Sequence, residues 1–170
     1  MSGGVDSSVA AYLIKEQGFE STGITLKLFD NEDIGEKKEK TCCSLDDIDD
    51  ARSVCYKLGI PYYVYNFKDN VISRFINAYE NGTTPNPCID CNRYIKFEKL
   101  MRRAEELDFD YVVTGHYAVI EYNAETGRYL LKKSADSSKD QSYVLYSLTQ
   151  EQLAKTLFPL GNMTKEQTRE

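Results

Sequence analysis

Ser2-Gly3-Gly4-Val5-Asp6-Ser7-Ser8 opens the chain one residue after its methionine, and the reading of this stretch decides the fold. Two adjacent glycines let a backbone turn sharply and approach a ligand closely. The residues that follow run into a helix, whose first N–H groups have no acceptor within the helix and favour an anion. With three hydroxyls and a carboxylate within a turn of the glycines, the stretch is a candidate phosphate cradle. It is not the common nucleotide-triphosphate loop, because no Lys-Ser or Lys-Thr pair follows the glycines to reach a terminal phosphate. A plain glycine turn capping a helix would need neither the clustered hydroxyls nor Asp6.

Outward from that loop, helix and strand patterns alternate. Residues 7–17 place Val9, Ala10, Leu13 and Ile14 on one helical face, with Gly18 as a stop. Residues 21–29 alternate as a strand through Ile24, Leu26 and Leu28. A polar, charged stretch, 30–40, reads as a loop over a surface or site. Residues 46–58 are helical again, with Ile48, Ala51, Val54, Cys55 and Leu58 inward, and Cys55 is most simply a core residue. Residues 61–67, with Tyr62-Tyr63-Val64-Tyr65, fit a buried parallel strand. Residues 69–81 give a helix with Val71, Ile72, Phe75, Ile76 and Tyr79 inward and Gly82 as its stop. This alternation predicts an α/β fold, a Rossmann-like parallel sheet with helices on both faces. A phosphate loop of this type hangs from a preceding strand, so a first strand is expected before Met1. Without it the loop is expected to hang from an incomplete sheet and bind its nucleotide poorly.

The second unusual stretch is Thr83-Thr84-Pro85-Asn86-Pro87-Cys88-Ile89-Asp90-Cys91-Asn92. Two prolines stiffen it, and its C-x-x-C pair is expected just before a helix with Phe97, Leu100, Met101, Ala104 and Leu107 inward. A thiol near a helix N-terminus, with Arg93 and Lys96 close by, ionises more readily than a free one. A redox pair or half of a zinc site are the other readings, and the latter needs two more ligands, such as Cys42 and Cys43.

Residues 109–114 read as a further strand through Tyr111-Val112-Val113, followed by Gly115-His116. Ligands in such sheets bind at the carboxyl ends of strands, so Gly115 and His116, the only histidine, are aimed toward the crevice of the first loop. Residues 119–122 and 128–133 flank Asn123-Ala124-Glu125-Thr126-Gly127 and predict a hairpin insertion. A polar linker, 134–138, leads to Lys139-Asp140-Gln141-Ser142-Tyr143. Periodicity does not separate helix from strand at Val144-Leu145-Tyr146. Thr149 caps a helix expected to reach Leu157, Pro159-Leu160-Gly161 break it, and Thr164 starts another.

Composition bounds the rest. The 170 residues, 41% apolar and 28% charged with a mean hydropathy of −0.51, suit one ordinary globular domain. Neither a membrane-span run nor a signal-peptide pattern is present, and the cytoplasm is the expected location. Five cysteines, an odd number, do not resemble a secreted disulfide framework. A net charge of −6 argues mildly against nucleic acid as a partner, although a local basic face is compatible with it.

The first loop resembles the pyrophosphate-gripping loop of the ATP pyrophosphatase superfamily, whose members adenylate a substrate and release pyrophosphate. With Thr84-Pro85-Asn86-Pro87-Cys88-Ile89-Asp90-Cys91-Asn92-Arg93-Tyr94-Ile95-Lys96-Phe97, Thr114-Gly115-His116-Tyr117 and Lys139-Asp140-Gln141-Ser142-Tyr143 in that order, the chain is similar to the tRNA-specific 2-thiouridylases. The resemblance implies ATP-dependent adenylation of the wobble uridine at carbon 2, then sulfur transfer from a cysteine persulfide with release of AMP. It implies ATP contacts at Ser2, Gly3, Gly4, Val5, Asp6, Ser7, Ser8, Leu26 and Gly115, with Asp6 beside Mg2+. It further implies target-base contacts at Asn86, Pro87 and Cys88, and other tRNA contacts at His116, Lys139, Asp140 and Gln141. Cys91 becomes the nucleophilic thiol, with Arg93, Lys96, Lys99, Arg102 and Arg103 as the nearest basic cluster. tRNA and a persulfide donor protein are the implied partners. The second catalytic cysteine and the rest of the tRNA-binding region are expected beyond Glu170, so this chain alone is not expected to complete sulfur transfer. Residues 1–148 then form the catalytic domain and 149–170 begin a helical linker to a central domain. An alternative within the family makes Cys88 and Cys91 ligands of a four-iron four-sulfur cluster; another adenylating member of the superfamily is the nearest rival.

Overall fold

The computed structural model describes residues 1–28, 45–67, 80–82, 84 and 86–170. The predicted loop 30–40, most of the predicted helix 69–81, and Cys42 and Cys43 lie outside the described residues. The chain packs as two compact units, residues 1–87 and 88–170.

In the first unit the glycine loop leads into helix α1 (Val5–Glu16), with Gly4 in an extended conformation as its N-cap and Ala10 and Ile14 buried. The chain leaves α1 at Gly18 and enters strand β1 (Gly23–Lys27). Helix α2 (Leu45–Leu58) buries Ile48, Ala51 and Cys55, and packs on β1 and on α1. Strand β2 (Tyr62–Asn66) pairs parallel with β1, with Gly23 opposite Tyr62 and Leu26 opposite Tyr65. The parallel pairing is the one expected; the burial is not. Tyr63 and Val64 are exposed. Among the described residues β1 is the only strand beside β2. A run of aromatic and β-branched residues suits a half-buried strand as well as a buried one, so composition could not separate the two. Tyr62 turns inward: its hydroxyl donates to Thr25 Oγ1 at 2.7 Å and to the Ile48 carbonyl at 3.2 Å. Those bonds tie strand to helix, and burial raises the Tyr62 pKa against the pull of the Thr25 bond. Gly23 is required by packing, since a Cβ there would lie 2.3 Å from Cys55 Sγ.

The second unit opens on a helical run in three parts: α3 (Pro87–Asp90), a π-helical stretch (Cys91–Leu100) and α4 (Met101–Glu106). Sequence placed the cysteines before this helix; the structure places Cys88 and Cys91 inside it. Proline favours the first helical position, where its missing N–H costs nothing, so Pro87 starts the helix earlier than expected. Asp108, at φ 58°, ends the run and leaves Leu107 exposed instead of in the core. Strand β3 (Val112–Val113) pairs parallel with β6 (Thr156–Leu157), while β4 (Ala118–Asn123) and β5 (Arg128–Lys133) form the predicted hairpin.

The predicted helix 149–157 is shorter than expected. Helix α5 (Gln150–Ala154), capped by the Thr149 hydroxyl and Gln152, gives way at Thr156 to β6. The β-branched Thr156 finds a strand partner in Val112, and tertiary pairing overrides the helical pattern there. The final helix, α6 (Lys165–Arg169), carries the same capping box from Thr164. The ambiguous segment is a 3-10 helix (Ser142–Leu145). Phe97, Met101, Val112, Ala118, Val144 and Leu145 form the core of this unit. Each large side chain buried here contributes on the order of 2 kcal/mol. Each unit therefore carries helices beside one parallel strand pair, which is α/β architecture.

Candidate functional site

The glycine loop is built from its own backbone and three serines. Gly3 adopts φ +70°, a conformation that L side chains rarely take. The Gly4 carbonyl accepts from Ser8 N–H at 3.2 Å, Ser7 Oγ at 3.0 Å and Ser8 Oγ at 3.0 Å. Ser2 N–H donates to Ser7 Oγ at 3.1 Å. Ser7 and Ser8 thus turn their hydroxyl protons back onto the loop. The start of α1, ahead of the Ser8 N–H that makes the first intrahelical bond, is the part of the loop suited to an anion. Asp6 stands half-buried in that first turn, as the helix dipole favours.

The loop is held from below. The Met1 ammonium bonds the Ile24 carbonyl, and Thr25 Oγ1 donates to the Met1 carbonyl at 2.8 Å. Gly3 itself lies on the backbone of Asp47, in the first turn of α2. Leu26 lies one residue from the end of β1. Sequence reasoning missed Thr25 and Asp47 as supports, because nothing in a linear pattern brings them to the loop.

In the second unit, Cys88 is exposed and Cys91 half-buried, three residues apart on one helical run. Between the thiol stretch and the core sits Asn92, 2% exposed, whose Oδ1 has no hydrogen-bond partner among the described residues. A π-helical segment is rare and frequently marks a functional site, and an orphaned buried acceptor costs about 1–3 kcal/mol. Asn92 was not singled out from sequence, although its place beside Cys91 was visible. The Arg93 guanidinium stacks 5.1 Å from the Tyr94 ring centroid. Arg102 and Arg103 pair with Glu106 on the exposed helix face, so the basic cluster there is partly neutralised.

Gly115 follows β3 at its carboxyl end, half-exposed, and the Thr114 N–H continues the ladder to the Leu157 carbonyl at 3.2 Å. His116 behaves differently from its neighbour. Its ring is 8% exposed, packs against Phe97 and Phe158, and is hydrogen-bonded through Nδ1 to Thr114 Oγ1 at 2.7 Å. Burial, helped by the Lys96 charge, pushes its pKa down to about 3, so the imidazole is neutral. The histidine assigned to tRNA contact from sequence therefore has its ring in the interior.

Lys139 is exposed, but Asp140 and Gln141 face their own chain. Asp140 accepts from Ser134 N–H at 2.9 Å and from Ser142 Oγ at 2.7 Å. Burial alone would raise its pKa, and these hydrogen bonds outweigh it and hold the carboxyl below the usual range. Gln141 Oε1 accepts from Tyr117 N–H at 3.0 Å while Gln141 N–H donates to the Tyr117 carbonyl at 2.9 Å.

Two thiols do not make a cluster or zinc site, which takes four ligands. Among the described residues no group of three or more His, Cys, Asp or Glu side chains is placed to hold a metal. No described helix is long and apolar enough to cross a membrane.

Residues 1–170 match the family model described as the tRNA methyl transferase HUP domain. The chain belongs to that family. Among curated proteins the chain is similar to the tRNA-specific 2-thiouridylase MnmA 1 of Thermoanaerobacter sp. (strain X514), 58% identical over 175 residues covering 100% of this chain and 48% of that protein. The tRNA-specific 2-thiouridylase MnmA of Clostridioides difficile (strain 630) is 55% identical over 174 residues, again 100% of this chain and 48% of its own length. This HUP-domain chain spans about half the length of the curated relatives it matches. Among solved structures, that of a predicted subunit of tRNA methyltransferase from Methanocaldococcus jannaschii covers 99% of this chain and 71% of its own. Its TM-score is 0.50 at 15% identity, a likeness of fold.

Proposed function

We propose that this HUP domain is the ATP-using, thiol-bearing part of a tRNA-specific 2-thiouridylase. The identity of 58% to a curated thiouridylase across the whole chain carries the reading. In this reading the N–H groups at the start of α1 hold the phosphates of ATP, with Leu26 near the nucleotide. A carboxylate beside a phosphate cradle repels its ligand unless a cation lies between, so Asp6 is assigned to Mg2+, which would neutralise the departing pyrophosphate.

The wobble uridine bonds through its C2 oxygen to the α-phosphorus, and the bond from that phosphorus to pyrophosphate breaks. This turns a poor leaving oxygen into a good one. The Cys91 thiolate then attacks the sulfur–sulfur bond of a persulfide carried on a cysteine outside residues 1–170, closing a disulfide and freeing hydrosulfide. Hydrosulfide adds at C2, and AMP leaves with the oxygen. Asn86, Pro87 and Cys88 are the assigned contacts to the base, and Lys139 reaches the tRNA backbone from a turn braced by Asp140 and Gln141. His116, next to Gly115 in sequence, is anchored between Phe97 and Phe158. The cytoplasm is the matching location, and a persulfide-donating protein the matching partner.

The test is tRNA-dependent pyrophosphate release by the full-length protein. Cys91→Ser is expected to abolish thiolation and spare pyrophosphate release, and Asp6→Ala to lose both. Full thiolation by Cys91→Ser would refute the role of that thiol.

A further inference from the structure

Two tyrosines that the proposed chemistry leaves unused stand out on the second unit. Tyr143 is 64% exposed and Tyr146 66% exposed, while Val144 and Leu145 between them are 4% and 0% exposed. They lie three apart on the 3-10 helix (Ser142–Leu145) and its C-cap, where side chains at i and i+3 eclipse, so both rings leave the same side of the turn. Neither ring nor hydroxyl makes a hydrogen bond or ring contact with another described residue.

Their base is rigid. Val144 and Leu145 anchor in the core, Val144 N–H donates to the Gln141 carbonyl at 3.2 Å, and Gln141 is doubly bonded to Tyr117. Upstream, Asp136 Oδ1 accepts from Ser138 N–H at 3.0 Å and Ser138 Oγ at 2.7 Å, and its Oδ2 accepts from Lys165 N–H. Asp140 is saturated in the same way by Ser134 and Ser142. The segment thus presents two aromatic side chains a few residues after the exposed Lys139, with its two carboxylates engaged by the protein's own donors. A backbone fixed beneath the rings lowers the entropy lost on binding.

We propose that Tyr143 and Tyr146 form a stacking platform for unpaired bases of RNA, with Lys139 as its phosphate contact. The proposal rests on the thiouridylase reading and adds to it where the RNA loop is gripped. The segment's own composition favours RNA over a protein partner: Ser137, Ser138 and Lys139 before the tyrosines are exposed, and the aliphatic Val144 and Leu145 are buried. A protein interface centre would expose aliphatic or further apolar surface. Aromatic rings with a cation beside them are the usual grip on single-stranded nucleotides.

The experiment uses the full-length protein, an anticodon stem-loop RNA carrying 2-aminopurine in its loop, and a fully paired RNA duplex. Tyr143→Ala and Tyr146→Ala are each expected to weaken stem-loop binding roughly 5- to 100-fold, to remove the fluorescence quenching that stacking causes, and to leave duplex binding unchanged. Tyr143→Phe and Tyr146→Phe are expected to keep both affinity and quenching, since the ring face carries the contact; melting curves confirm that each variant is folded. Unchanged stem-loop binding by the alanine variants overturns the proposal, as does an equal loss in the phenylalanine variants. A change in oligomeric state by sedimentation, with RNA binding intact, overturns it in favour of a protein contact. If the unaltered protein binds neither tRNA nor stem-loop, the thiouridylase reading itself fails; if it binds both and only the alanine variants show no effect, the platform alone fails.

Discussion

Gly3 and Asp47 meet backbone to backbone: a Cβ built on Gly3 would lie 2.6 Å from the Asp47 carbonyl oxygen and 2.8 Å from its Cα. The proposed phosphate loop thus rests directly on the first turn of α2, with φ +70° at the point of contact. Gly3→Ala meets both obstacles, and about 2–3 kcal/mol of stability is expected to be lost together with ATP affinity. Gly4→Ala meets only Ser2 Oγ at 3.6 Å and is expected to cost under about 1 kcal/mol. Urea melts and nucleotide titration of the two variants check the contrast.

Gly23 and Cys55 give a second packing test. With 2.3 Å between the added Cβ and Sγ, Gly23→Ala is expected to destabilise by about 1–3 kcal/mol. Cys55→Ala makes room, so the double variant is expected to be more stable than the sum of the singles predicts, with a coupling above about 0.5 kcal/mol. Strict additivity in a double-mutant cycle would show that β1 and α2 separate freely there.

His116 sets a pH dependence. Its folded pKa of about 3 lies below the ordinary 6.5, so the unfolded chain takes up the proton first. Its contribution is fully present above about pH 6.5 and is lost as pH falls from there toward 3, by up to about 1.4 kcal/mol per pH unit. His116→Gln, which cannot take up a proton, is expected to be less stable at neutral pH but to show a shallower fall of stability between pH 6.5 and 4.5. Equal slopes for the two proteins in denaturant titrations would contradict the burial of a neutral ring.

Asn92 carries a cost that packing does not explain. Asn92→Leu removes the orphaned Oδ1 at similar volume and is expected to leave stability unchanged or raise it by about 1 kcal/mol. Thiolation is expected to fall at least tenfold if the acceptor serves the chemistry beside Cys91. A fully active variant would make Asn92 a structural accident.

How much of this was legible in sequence differs from residue to residue. Helix α2, the hairpin of β4 and β5, and the caps at Thr149 and Thr164 followed from periodicity and local side-chain bonding, which act over three or four residues. Thr156 and Leu157 read as helix and form β6, because a strand partner at Val112 and Val113 lies more than forty residues away and leaves no local trace. Cys88 and Cys91 were located by their spacing, but their place within the helix depended on Pro87 acting as its first residue.

The order of motifs, Ser2 to Ser8, Asn86 to Asn92, Gly115-His116 and Lys139 to Gln141, was determined by the sequence alone, because chemistry resides in residue types and short spacings. Tertiary structure decided which of those residues face outward. It turned His116 between Phe97 and Phe158, bound Gln141 to Tyr117, set Gly3 on Asp47 and left Tyr143 and Tyr146 exposed. Burial and hydrogen-bond partnership are settled by groups far apart along the chain, and only the folded backbone brings those groups together.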